Sequence, residues 1–210
     1  MIKKNRVTLL LTTAVLMLPM LVGILLWDKL PDRIPIHWGL SGEVDGWGSK
    51  ALAVFGFPLL MMAIHWGCAF ATSADPKSKD VGDKPMAIML WGCPVISLIC
   101  HTFLFAAALG YTPSVEIVMP AVLGLVFMII GNYLPKCKRN RTIGIKLYWT
   151  LTDDENWTHT HRFAGWVWTL GGAVIAATAI FGNLVITLVL TFLIALLPTL
   201  YSYLYYRKHK

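Results

Sequence analysis

The sequence predicts an all-α membrane protein, a six-transmembrane-helix bundle with both termini in the cytoplasm. Composition is the first reason: 57% of the 210 residues are hydrophobic and 14% are charged, whereas a soluble domain is about one quarter charged. The spacing of the charges is the second. Residues 7–27, 51–74, 85–115, 117–135 and 163–206 contain no Asp, Glu, Lys or Arg. About 20 apolar residues carry one helix across a bilayer core, and the five stretches, the last of them 44 residues long, leave room for six such helices. The third reason is the placement of Lys and Arg, taken up below.

The spans fall at about 7–27, 51–72, 86–108, 117–135, 163–182 and 185–205. Leu109-Gly110-Tyr111-Thr112-Pro113 and Phe181-Gly182-Asn183 carry turn residues and separate neighbouring spans. The first span competes with a secretory signal. Its 21-residue uncharged run exceeds an h-region of about 7–15 residues, and no small-x-small cleavage site follows it. Trp27, Asp28 and Lys29 look like an interfacial stop, so the segment reads as a retained helix. Two regions result: 1–72, with two spans and an ordered extracytoplasmic loop at 28–50, and 73–210, with spans three to six and a long loop at 131–165.

Cationic flanks resist translocation, so they collect inside. With the N-terminus inside, the inner segments hold 15 of the 18 Lys and Arg residues. These are Lys3, Lys4 and Arg6; Lys77, Lys79 and Lys84; Lys136, Lys138, Arg139, Arg141, Lys146 and Arg162; and Arg207, Lys208 and Lys210. Lys29, Arg33 and Lys50 remain outside. The net charge of +7 therefore reflects topology and attraction to anionic lipids. It does not point to direct nucleic-acid binding. Cys68, Cys93 and Cys100 lie in spans and Cys137 in a reducing compartment, which gives no disulfide framework. No cofactor motif or metal-ligand spacing occurs.

The outer loop runs from Leu30 to Lys50. Pro31 and Pro35 hold their neighbours extended, and four glycines between Gly39 and Gly48 permit tight turns. One reading is a cap that orders the first two spans, with its acids paired to Arg33 or Lys50. Another is a surface for an external ligand built from His37, Trp38, Glu43, Asp45 and Trp47. A metal site at His37, Glu43 and Asp45 is a third.

The inner loop starts with a basic cluster at Lys136–Arg141, within reach of lipid phosphates. Ile143–Leu151 reads as extended. Thr152 and Glu155 form a capping box, with Asp153 and Asp154 favouring the same helix start. Trp157, His161 and Gly165 then share one helical face. A buried, hydrogen-bonded His161 in a headgroup-anchored loop is one reading. Partner or lipid binding through Arg139, Asn140, Arg141, Trp149, Trp157, His161 and Arg162 is another. A third makes His161 an acid/base beside a phosphate-clamping Arg141 or Arg162, with no nucleophile motif to support it.

Within the spans, His65 and His101 are ionisable groups in a costly place. They read as neutral histidines bonded to each other or to backbone carbonyls, since no span holds Asp or Glu for a proton pathway. Trp66, Trp91, Trp166 and Trp168, with Tyr201, Tyr203, Tyr205 and Tyr206, read as aromatic belts.

The stretch LPDRIPIHWGLSGEVDGWGSK resembles a small domain of uncharacterised function that opens multispan bacterial proteins. GNYLPKCKRNRTIGIKLYWTLTDDENWTHTHRFAG resembles the signature of the SdpI family of bacteriocin immunity proteins. The matching positions are Asn140, Gly144, Trp149, Thr150, Trp157, His161, Arg162 and Gly165. The chain departs at Lys146-Leu147-Tyr148, where the family pattern is closer to Arg-Thr-Pro. The resemblance implies a non-enzymatic, multi-pass protein of the bacterial cell membrane that protects against a secreted, membrane-active toxin peptide of the SdpC type. For the founding member it also implies signal transduction, in which a cytoplasmic transcriptional repressor is held at the membrane. Two other classes stand beside it: a membrane enzyme or lipid-binding protein acting on phosphate headgroups, and a small transporter using His65 and His101.

Overall fold

The computed structural model describes residues 1–76 and 81–209. Lys77, Lys79 and Lys210, three of the expected inner cations, lie outside the described residues. Among the described residues are seven α-helices, and six helical segments are long and apolar enough to cross a membrane. Helix α1 covers Arg6–Leu25, α2 Phe57–Ala74, α3 Asp83–Ala108, α4 Val115–Tyr133, α6 Asp154–Thr178 and α7 Leu184–Lys208, with a short α5 at Tyr148–Thr152. A π-helical turn, Leu52–Gly56, leads into α2. The all-α, six-span expectation holds. The fifth span starts earlier than hydropathy indicates, because the polar residues from Asp154 onward already continue into it.

The helices group into two compact units. Unit 1 comprises residues 1–73 and 87–114, and unit 2 residues 74–86 and 115–210.

In unit 1 the outer loop is a β-hairpin, with β1 at Arg33–Trp38 and β2 at Val44–Ser49 antiparallel to it. The register is irregular between Pro35 and Trp38. Gly42, at φ 79°, takes the left-handed turn conformation that a side chain would disfavour. Gly46 lies against His37 so closely that a Cβ there would sit 2.7 Å from the His37 Cβ. Beneath the hairpin, Leu30 and Ile34 are buried with Ala53, Val54, Leu104 and Phe105. The sequence shows no clean alternation here because two prolines and several glycines interrupt it.

The buried histidines of unit 1 are both bonded, though not to each other. Thr12 donates its hydroxyl to Leu9 O (3.1 Å) and is 3.0 Å from His65 Nε2, which donates to it. His101 Nδ1 donates to Ser97 O at 2.7 Å.

Unit 2 is organised by close approach of α4 and α6. A Cβ on Gly172 would meet Gly124 O at 2.6 Å, and one on Gly165 would meet Pro135 Cγ at 2.5 Å. One on Gly131 would meet Thr169 N at 2.7 Å. Lipid tails are as apolar as side chains, so helices in a bilayer associate through such tight backbone packing rather than by escaping water. Several expected belt aromatics serve this unit instead. Trp168 Nε1 donates to Ile194 O (3.0 Å), and Tyr201 stacks on Phe163 with ring centroids 4.4 Å apart. Trp166 is 71% exposed, as a belt residue would be.

Candidate functional site

The inner loop of unit 2 is densely hydrogen-bonded. Asn140 is 1% exposed and organises its first turn. Its Oδ1 accepts from Thr142 N (2.8 Å) and Ile143 N (2.7 Å), while Nδ2 donates to Lys138 O (2.8 Å) and Ile143 O (3.1 Å). An Asn side chain suits this because it pairs an acceptor with two donors. Asp75, just past α2, accepts from Arg141 N at 2.8 Å and the Thr142 hydroxyl at 3.0 Å.

The chain next reaches Gly144, whose φ of 123° favours glycine. A Cβ at this position would collide with His161 Nε2 and the Trp157 ring. His161 Nδ1 donates to Trp157 O (2.7 Å), and its Nε2 accepts from Ile145 N (2.9 Å). Both ring nitrogens are thus committed. Trp157 stacks on the imidazole at 3.9 Å and donates Nε1 to Cys137 O at 2.8 Å. Trp157, His161 and Gly165 are all buried, as their shared face implies.

Two local expectations change. Ile143–Leu151 is not extended throughout, because α5 forms from Tyr148, with Thr150 accepting from Leu147 N at 2.9 Å. The start of α6 is as expected, but Thr152 and Glu155 do not cap it. The Thr152 hydroxyl donates backward to Tyr148 O at 2.9 Å, and Asp153 in extended geometry accepts from Glu155 N (2.8 Å) and Asn156 N (3.3 Å). Replacing Asp153 with Ala is expected to cost about 1 kcal/mol. Amide exchange at Glu155 and Asn156 should quicken while that of the α6 interior stays unchanged.

A second network docks α5 and α6 onto α7. Trp149 Nε1 donates to Ser202 Oγ (2.9 Å), Ser202 Oγ to Asn156 Oδ1 (2.8 Å), and Thr160 Oγ1 to the same oxygen (2.9 Å). Asn156, Ser202 and Asp75 were not singled out by sequence. Their signal is faint: Asn156 sits within the polar stretch 152–162, Ser202 lies near the end of an apolar run, and Asp75 follows span two.

The cations divide into two kinds. Arg139 is ion-paired with Asp154 and donates to Leu151 O at 2.6 Å. Lys136, Lys138, Arg141 and Arg162 are exposed. An open cleft of about 500 Å³ lies between Lys136–Arg139 and Asp154, Trp157 and Thr158 of α6. Cys137 beside it is buried, and burial pushes its thiol pKa up.

On the hairpin of unit 1, His37 Nδ1 and Asp45 Oδ1 pair at 2.5 Å, with both side chains more than half exposed. Lys50 pairs with Asp32 at 3.4 Å and donates to Trp27 O at 3.1 Å. Trp38 packs edge-on against Phe103, with ring centroids 5.0 Å apart. Glu43 and Trp47 are exposed, as is Leu40. Among the described residues no three His, Cys, Asp or Glu side chains gather closely enough to hold a metal ion.

Six apolar spans, a bulged hairpin after the first and a bonded polar loop before the fifth define a multi-pass membrane protein with two built surfaces outside its spans. Residues 136–202 match the model of the SdpI/YfhL protein family, and residues 14–62 match a domain of unknown function, DUF1648. The chain is 28% identical over 213 aligned positions to Immunity protein SdpI of Bacillus subtilis (strain 168), covering 98% of this chain and 97% of that one. No solved structure gives a significant match. The chain is a multi-pass bacterial membrane protein whose residues 136–202 are similar to the SdpI/YfhL protein family.

Proposed function

We propose that this protein is a membrane immunity protein, protecting its cell from a secreted, membrane-active toxin peptide of the SdpC type. The end-to-end similarity to Immunity protein SdpI is the observation that carries this reading. The similarity takes in the residues of both the hairpin and the inner loop.

The hairpin faces outward and meets the peptide. His37, Glu43, Asp45 and Trp47 offer it mixed charge and an aromatic face, and Trp38 holds the hairpin on α3. The inner loop faces the cytoplasm with both termini. Arg141 and Arg162, with Lys136 and Lys138, contact anionic lipid headgroups and the transcriptional repressor whose capture would make the protein a signal transducer. Asn140, Trp149, Trp157 and His161 shape that surface, and Arg139 joins it to α6. The role is binding rather than catalysis, since the nitrogens an acid/base mechanism would use are committed within the loop.

A protection assay tests this. Sensitive cells expressing the chain are challenged with SdpC-type peptide while a dye follows membrane potential. Retained potential is expected with the native chain and loss of it with Trp47→Ala combined with Glu43→Gln, two exposed positions that leave the hairpin core intact. Collapse of potential in cells with verified membrane insertion of the native chain would overturn the reading.

A further inference from the structure

We propose that the cleft of unit 2 is a binding site for a lipid phosphomonoester, a headgroup phosphate that carries two negative charges. The cleft, about 500 Å³, is walled by Lys136, Lys138 and Arg139 of the inner loop and by Asp154, Trp157 and Thr158 of α6.

Its charge is the first observation. Arg139 and Asp154 satisfy each other, Nε pairing with Oδ1 and Nη2 donating to Oδ2 at 3.1 Å. Lys136 and Lys138 are exposed, and neither is ion-paired among the described residues. The Lys136 ammonium rests 4.5 Å from the centroid of the Tyr133 ring, a contact that leaves its charge unneutralised. These two lysines give the cleft its excess of positive charge. The neutral donors on its walls are already used: Trp157 Nε1 donates to Cys137 O at 2.8 Å, and the Thr158 hydroxyl to Asp154 O at 2.8 Å. What the cleft offers a ligand is charge. A phosphomonoester carries about 1.5 to 2 negative charges at pH 7 and matches both lysines. A phosphodiester carries one and leaves a lysine uncompensated.

Depth is the second observation. Thr158 precedes the uncharged run from Phe163 by five residues, about 8 Å of helix. Headgroups extend about 5–8 Å beyond the apolar core on each side of a bilayer. On the facing wall Pro135 lies against Gly165, at the start of that run. The cleft thus stands in the headgroup layer, where a phosphate tethered to lipid is always within reach. The site deepens the lipid contact proposed for the inner loop and rests on it. A failed protection assay would leave it untouched.

The full chain in detergent is titrated with phosphatidic acid, a monoester, phosphatidylglycerol, a diester, and zwitterionic phosphatidylcholine. Bound lipid is counted by native mass spectrometry. Phosphatidic acid is expected to bind about tenfold tighter than phosphatidylglycerol. Lys136→Gln combined with Lys138→Gln should erase that preference at an unchanged thermal midpoint. Arg141→Gln combined with Arg162→Gln, which removes cations outside the cleft, should weaken both anionic lipids and keep the preference. Equal affinity for the two anionic lipids, or equal loss of the preference in the two double variants, would overturn the site while general lipid contact stands. No preference for either over phosphatidylcholine would overturn that contact as well. Displacement of phosphatidic acid by millimolar inorganic phosphate would make the free anion the occupant and overturn lipid as its source.

Discussion

Gly172→Leu is expected to prevent stable folding of unit 2. The substituted Cβ would lie 2.6 Å from Gly124 O and 2.8 Å from Met128 N. Both contacts are backbone, so no flexible side chain can swing aside. Overpacking in a well-packed interior typically costs about 1–3 kcal/mol. Here α4 and α6 must separate along their length, which loosens the Gly131–Thr169 and Gly165–Pro135 approaches as well. A destabilisation of about 3 kcal/mol or more follows. It should appear as aggregation on extraction, or a sharply lowered thermal midpoint in detergent. Gly92→Leu is the control, since a Cβ on Gly92 meets nothing within 4 Å. Equal behaviour of the two variants would show that the α4–α6 approach does not hold the unit together.

Asn140→Ala is expected to open the inner loop without unfolding the spans. The variant removes both acceptor bonds to Thr142 N and Ile143 N and both donor bonds to Lys138 O and Ile143 O. A buried polar group left without its partner costs about 1–3 kcal/mol. Water entering the opened turn would offset part of the sum, leaving a local loss of about 3 kcal/mol, or roughly a 100-fold fall in amide protection at Thr142 and Ile143. Cys137 gives a second readout. In the native chain its thiol is buried with a raised pKa, so little thiolate is available to a water-soluble maleimide at neutral pH. Labelling should quicken in the variant, and exchange within α4 should stay as it was. Unchanged protection at Thr142 and Ile143 would mean that Asp75 alone holds the turn.

The candidate site was legible in part. Trp157, His161 and Gly165 share a buried face because helical spacing fixes that relation wherever the helix lies. Gly144 could be paired with His161 only in three dimensions, since a loop separates them. The capping box failed for a local reason: three consecutive residues, Thr152, Asp153 and Asp154, could each begin the helix, and the carboxylate of Asp153 makes two backbone bonds where Thr152 makes none forward.

The six spans and the helical class are legible in the residues alone, because crossing a bilayer sets a minimum apolar length that composition displays directly. The residues also mark the two loops, whose polar, aromatic and glycine content exceeds what a connection needs. Tertiary structure decided what those residues do. The glycines of α4 and α6 became a contact only when the two helices met, and Asp75 became an anchor only when Arg141 and Thr142 came within bonding distance. Each of these depends on atoms far apart in the chain, which no periodicity records.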